Sequence, residues 1–108
     1  MRKRYGSVIK VNPEMLGIYK QLHANPWKDV CDMIKKCNIE NYVIYHRDGY
    51  LFSHYEYVGS DYKSDMTKMA ADPITQDWWK LCRPCQCPVE SAGKDDWWAE
   101  MEEVFYLP

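Results

Sequence analysis

Two runs of β-branched and aromatic residues, Ile39 to His46 and Leu51 to Val58, flank the segment Arg47-Asp48-Gly49-Tyr50. Asp-Gly at the centre of so short a link signals a hairpin turn, because both central positions need positive φ. The runs therefore pair as an antiparallel hairpin over Ile39–Val58. Alternation sends Tyr42 and Ile44 to one face and Val43 and Tyr45 to the other. Both faces are apolar, so both need cover. Helices of the same chain cover one. A second copy packing sheet to sheet covers the other, and a homodimer is the expectation.

The rest of the chain reads around that hairpin. Tyr5 to Val11 alternates as a strand. Asn12-Pro13 then supplies a helix cap and first turn. Met15, Ile18, Tyr19, Leu22 and His23 follow at helical spacing. Pro26 restarts a helix with Trp27, Val30, Cys31 and Ile34 on one stripe, and Asn38 stops it. Ser60 is placed to cap a helix over Asp61–Ala71, and Pro73 opens another that ends near Leu81. Arg83 to Lys94 has no periodicity and reads as a loop, and Met101 to Leu107 as a last strand. Strand, helix, strand, strand, helix, strand is the split βαβ order of a ferredoxin-like α+β fold. With 108 residues, this is one domain over the whole chain.

Charge and cysteine usage narrow the function classes. Lysines and arginines number 14 against 16 acidic residues, a net −2, which is no footprint for nucleic acid or an anionic membrane. Arg2, Lys3 and Arg4 form the one basic cluster, and a solvated terminus accounts for it. No apolar run approaches the roughly 20 residues of a membrane span. No signal-like apolar region follows the basic start, so a cytoplasmic protein is expected. Five cysteines, an odd number, fit free thiols in a reducing compartment better than a disulfide framework.

Among single residues, His23 comes first. It lies one helical turn after Tyr19, so the two share a face. Imidazole exchanges protons near neutral pH, with an ordinary pKa of about 6.5. The plainer alternative is a hydrogen-bonded core histidine. His46 and His54 on the hairpin read as structural. Trp78-Trp79 is an adjacent pair whose directions diverge by about 100° on a helix. One ring can then pack in the core while the other edges a pocket, where the C–H face of a sugar stacks well; two core tryptophans are the plainer alternative. Trp97-Trp98 reads as packing or a lid. Cys82, Cys85 and Cys87 offer zinc-like spacing, but the usual fourth ligand and second motif are missing nearby, so no metal is expected. The nine tyrosines and five tryptophans suit a ligand that is part hydroxyl and part apolar, and equally an aromatic core.

Val11-Asn12-Pro13, Tyr19 with His23, Asn41-Tyr42, Ile44-Tyr45, Gly49-Tyr50-Leu51-Phe52, Trp78-Trp79-Lys80 and Glu103-Val104-Phe105-Tyr106-Leu107-Pro108 follow in that order. In these blocks the chain resembles the L-rhamnose mutarotases along nearly its whole length. The resemblance implies a dimeric α/β barrel of ferredoxin-like subunits, with no metal and no organic cofactor. It implies that His23 is the catalytic proton donor and that Tyr19, Tyr42, Trp78 and Trp79 bind L-rhamnose. The second proton carrier stays open among a tyrosine, a water and a carboxylate such as Glu103. The cysteine-rich 82–87 segment departs from the family pattern. Two rival readings share the fold: a non-catalytic sugar- or metal-binding module and a cofactor-free oxygenase.

Overall fold

A computed structural model describes residues 2–108. Its elements are β1 (Lys3–Val11), α1 (Leu16–Ala24), α2 (Lys28–Lys36), β2 (Ile39–Arg47), β3 (Tyr50–Tyr57), α3 (Tyr62–Ala71), α4 (Pro73–Cys82), β4 (Gln86–Cys87) and β5 (Ala99–Glu100). Short 3-10 turns, Pro13–Met15 and Arg83–Cys85, precede α1 and β4. The antiparallel sheet runs β2-β3-β1, and β4 and β5 both pair with the far edge of β1. This is the ferredoxin-like arrangement that the element order predicts, in the form of the α/β-barrel subunit that the family resemblance implies.

Four backbone positions with positive φ set the geometry around the hairpin. Asp48 (φ 53°) and Gly49 (φ 82°) form the tight turn that Asp-Gly foretells. Asn38 (φ 67°) ends α2, and its amide donates to Asp65 at 2.9 Å. Asn41 (φ 51°) sits in a bulge, where the register shifts between Glu40 and Val43. The bulge resets the alternation. Ile39 opposite Tyr57 and Ile44 opposite Ser53 thereby reach the same, helix-covered face, together with Tyr42.

That face holds the core: Ile9 and Val11 of β1, Leu51 of β3, Tyr19 of α1, Val30 of α2, and Trp78 and Cys82 of α4. The other face carries Val8, Val43, Phe52 and His54, with Tyr45 65% exposed. Both faces of the hairpin are apolar, as the sequence predicts.

The expected last strand, Met101–Leu107, is corrected. Strand pairing is confined to Ala99–Glu100, extended one step by Met101 N–H donating to the Gly6 carbonyl at 2.7 Å. Beyond it the tail keeps beside β1 through side chains. Glu103 meets the Arg4 guanidinium with two 2.9 Å bonds, and Arg4 also lies over the Tyr106 ring. The expected 83–94 loop is corrected as well, because Gln86 and Cys87 pair with Val11 and Lys10. One strand position beside β1 is thus filled by two short segments, and residues 88–98 leave the sheet between them. Periodicity cannot reveal two-residue strands, since they contain no repeat. Two caps also differ. Asp61, not Ser60, caps α3 by accepting from Ser64 N–H at 3.1 Å. Asn12 caps nothing, and its amide donates to the Pro84 carbonyl at 2.9 Å.

Candidate active site

Tyr19 and His23 face inward from the last turns of α1. Their rings stack at 4.1 Å between centroids. His23 Nδ1 lies 2.9 Å from the Tyr19 carbonyl oxygen. A carbonyl only accepts, so Nδ1 carries the proton and Nε2 keeps its lone pair in the neutral ring. Burial lowers the His23 pKa from its ordinary value, and the bond to the Tyr19 carbonyl partly opposes that. His23 is therefore neutral at physiological pH, with Nε2 ready to accept a proton.

Trp78 closes the other side. It is buried and meets His23 edge-on at 5.3 Å, and Trp27 at the start of α2 packs edge-on against it at 5.3 Å. The adjacent Trp79 diverges as helical geometry requires. It is half-buried, and the Arg83 guanidinium stands 5.4 Å from its ring. Tyr42 comes from β2, turned inward by the Asn41 bulge, with its ring edge-on to Tyr55 at 5.4 Å. The residue is 45% exposed, yet its hydroxyl end lies in apolar surroundings that push its pKa up to about 12. Burial also raises the Tyr19 pKa, with Tyr42 the next influence, so the two phenols lie within electrostatic reach. His23, Tyr19 and Trp78 are thus in direct contact, Tyr42 stands nearby, and Trp79 borders the group from the next position of α4.

Two residues of this site escape sequence reasoning. Gln86 of β4 is buried, and its Nε2 donates to Tyr19 Oη at 3.3 Å. Its Oε1 accepts from Trp97 Nε1 at 2.8 Å. The indole reaches Gln86 because residues 88–98 swing out of the sheet and return. A lone glutamine between two cysteines carries no spacing signal, and only the pairing of β4 with β1 brings it under α1.

An aromatic groove of about 260 Å³ lies farther along the same sheet face, lined by Tyr5, Tyr55, Tyr62, Asp96 and Trp98 among others. Its Tyr55 contacts Tyr42, and its Trp98 packs against the core that holds Tyr19 and Trp78. A wider depression of about 760 Å³ lies under the C-terminal tail, beside Arg4, His54 and Glu103. Neither is lined by His23. At the His23 group an imidazole and a phenol come into direct contact.

Other candidates fall elsewhere. Glu103, one of the carboxylates considered for the second proton, is held by Arg4 in the tail. His54 lies on the sheet face away from the helices, and His46 sits opposite Leu51 near the hairpin turn. Cys82 and Cys85 are buried in the core, while Cys87 is exposed. Burial pushes the Cys82 thiol up to about 12. Among the described residues no three His, Cys, Asp or Glu side chains gather as a metal site. Among the described residues no helix is long and apolar enough to cross a membrane.

A family model described as L-rhamnose mutarotase matches residues 4–107. An L-rhamnose mutarotase of Oceanobacillus iheyensis is 28% identical over 107 residues, which cover 97% of this chain and 98% of that protein. An L-rhamnose mutarotase of Bacillus subtilis is 27% identical at the same coverage. Among solved structures, an L-rhamnose mutarotase of Formosa agariphila superposes with a TM-score of 0.76 at 21% identity, covering 98% of this chain and 99% of that one. The tetracenomycin F2 cyclase of Streptomyces glaucescens superposes at 0.70 with 13% identity and the same coverage. The two structures bear on the fold alone.

Proposed function

The chain belongs to the L-rhamnose mutarotase family, and on that premise we propose that its His23 group exchanges the α and β pyranose anomers of L-rhamnose. Ring opening needs a base at the anomeric hydroxyl and a proton for the ring oxygen. The observation that carries the reading is the commitment of His23 Nδ1–H to the Tyr19 carbonyl, which leaves Nε2 as the only titrating position. Nε2 takes the O1 proton as the C1–O5 bond breaks. After the aldehyde rotates, the protonated ring returns that proton as a donor. One positioned proton transfer of this kind is typically worth about 10²–10⁴ in rate. Tyr19 and Tyr42 offer hydroxyls to the sugar, Trp79 a ring edge for its C–H face, and Trp78 a wall that holds His23. No step in this scheme requires a metal or an organic cofactor.

The working form in this proposal is a homodimer. Support comes from the uncovered sheet face with Tyr45 and Phe52, and from a tail whose Val104, Phe105 and Leu107 are 87%, 79% and 78% exposed. Apolar side chains of that size gain roughly 1.5–3 kcal/mol each when buried. A partner's sheet is the natural place for them. The free cysteines support a reducing, cytoplasmic setting.

Saturation-transfer NMR between the anomeric resonances of L-rhamnose tests the activity. Exchange faster than in buffer, lost in His23→Ala, supports the reading. Binding without exchange favours a sugar-binding module. Failure to bind rhamnose, with turnover of an aromatic substrate, favours the oxygenase reading.

A further inference from the structure

Trp97, Gln86 and Tyr19 form a hydrogen-bonded chain whose direction follows from the chemistry of its ends. Indole Nε1–H can only donate, so the Gln86 atom facing it at 2.8 Å is Oε1. The other amide atom, Nε2, then faces Tyr19 Oη at 3.3 Å and donates to it. Tyr19 Oη already accepts one bond, and among the described residues its own proton has no protein acceptor. We propose that Tyr19 is the proton donor to the sugar ring oxygen, and that Gln86, fixed by Trp97, is the positioning residue that makes it present a proton and not a lone pair.

This inference rests on the mutarotase reading and completes its chemistry. As C1–O5 breaks, the bonding electron pair goes to O5, and Tyr19 Oη passes its proton there. His23 Nε2 holds the proton from O1. Gln86 Nε2–H steadies the charge left on Oη. Reclosure on the other face of the aldehyde returns the O5 proton to Oη and the Nε2 proton to O1, so the enzyme ends as it began. Burial keeps the Tyr19 phenol protonated at rest, and the Gln86 bond acts in the opposite sense. The donor is therefore present at every physiological pH and tightens its bond only as O5 becomes basic. An interaction that strengthens in this way raises kcat more than it lowers KM.

Gln86→Glu and Gln86→Met test the direction of the chain. A carboxylate at position 86 accepts from both Trp97 and Tyr19, so it turns the phenol proton away from the sugar. Methionine lets the phenol rotate freely. At pH 8 we expect kcat to fall about 10-fold or more in Gln86→Glu and only about threefold in Gln86→Met, with KM moved less than either. A buried glutamic acid has a raised pKa. As pH falls towards 6 it protonates, donates to Oη and restores the original direction, so Gln86→Glu regains activity relative to Gln86→Met. His23, stacked on Tyr19, also gains a proton as the pH falls, and its effect is common to both variants, so the comparison with Gln86→Met removes it. Tyr42, Cys82 and Cys85 are raised by burial and uncharged throughout that range.

A Gln86→Glu enzyme as fast as the wild type at pH 8 overturns the proposal. So does a loss equal to that of Gln86→Met at every pH. If the wild type itself exchanges no anomers, the mutarotase reading fails instead. The chain is then judged alone from ¹⁵N spectra, in which Tyr19→Phe and Trp97→Phe should each shift the Gln86 side-chain amide. Unmoved amide resonances refute it.

Discussion

Trp78 and Trp79 are chemically identical neighbours that the fold treats differently, and phenylalanine at each separates their roles. Trp78 is 7% exposed and touches both His23 and Trp27 edge-on. Truncating a buried tryptophan to alanine costs about 3–5 kcal/mol. Phenylalanine removes about a third as many atoms, so Trp78→Phe should cost about 1–2 kcal/mol, including part of the aromatic contacts. In a domain of this size that lowers Tm by about 4–16 °C. Trp79 is only half-buried, and its contact with Arg83 is worth about 0.5–1 kcal/mol at an exposed site. Trp79→Phe should therefore cost under about 1 kcal/mol and act mainly on rhamnose affinity. Thermal unfolding at one fixed protein concentration measures the first effect, since a dimer's Tm depends on concentration. A saturable change in tryptophan fluorescence on adding rhamnose measures the second. Equal melting temperatures, or a greater loss of stability in Trp79→Phe, would refute this assignment.

His23→Ala should fold and lose about 10²-fold or more in anomer exchange, as the NMR assay reads it. In the wild type the rate should rise with pH through a midpoint below about 6.5 and stay level to pH 8, because the neutral ring is the active form and burial lowers its pKa. The same shift makes the unfolded chain take up a proton first, so stability declines as pH falls below about 6.5, which acid-dependent melting will register. Deleting residues 105–108 should convert a dimer to a monomer at micromolar concentration, and sedimentation showing a monomeric wild type counts against the covered-face argument. Gly59→Ala should lower stability by about 1–3 kcal/mol in urea titration, since its Cβ would press on the Tyr57 ring and lie 2.7 Å from Asn38 Nδ2. Activity should survive chelators, and metal analysis finding stoichiometric zinc lost in Cys85→Ser would reverse that.

What the sequence reveals and conceals follows from the range of the forces involved. Asp48-Gly49 and Asn38 are legible because each acts through its own backbone, with positive φ at a turn and at a helix end. Tyr19 and His23 are legible because one helical turn brings them together whatever else the chain does. The Asn41 bulge is not, since its cause is the pairing of β2 with β3. The inward turn of Tyr42 therefore rests on the family resemblance and not on alternation. Gln86 and Trp97 meet only after β4 pairs with β1 and the 88–98 segment folds back. Glu103 reads as a candidate proton carrier until its partner Arg4, far away in sequence, is located.

The departure of residues 88–98 from the sheet separates two tasks that most strands combine. Pairing with β1 is completed by four residues, two on either side of the excursion. The excursion itself carries no sheet bonds, yet it delivers the indole that orients Gln86. Lengthening such a loop costs little, about 0.6 kcal/mol for each doubling. Insertions, deletions and replacements in this stretch can therefore accumulate while the sheet persists, and each one bears on how Trp97 meets Gln86. The orientation of Gln86 can thus be retuned from outside the sheet.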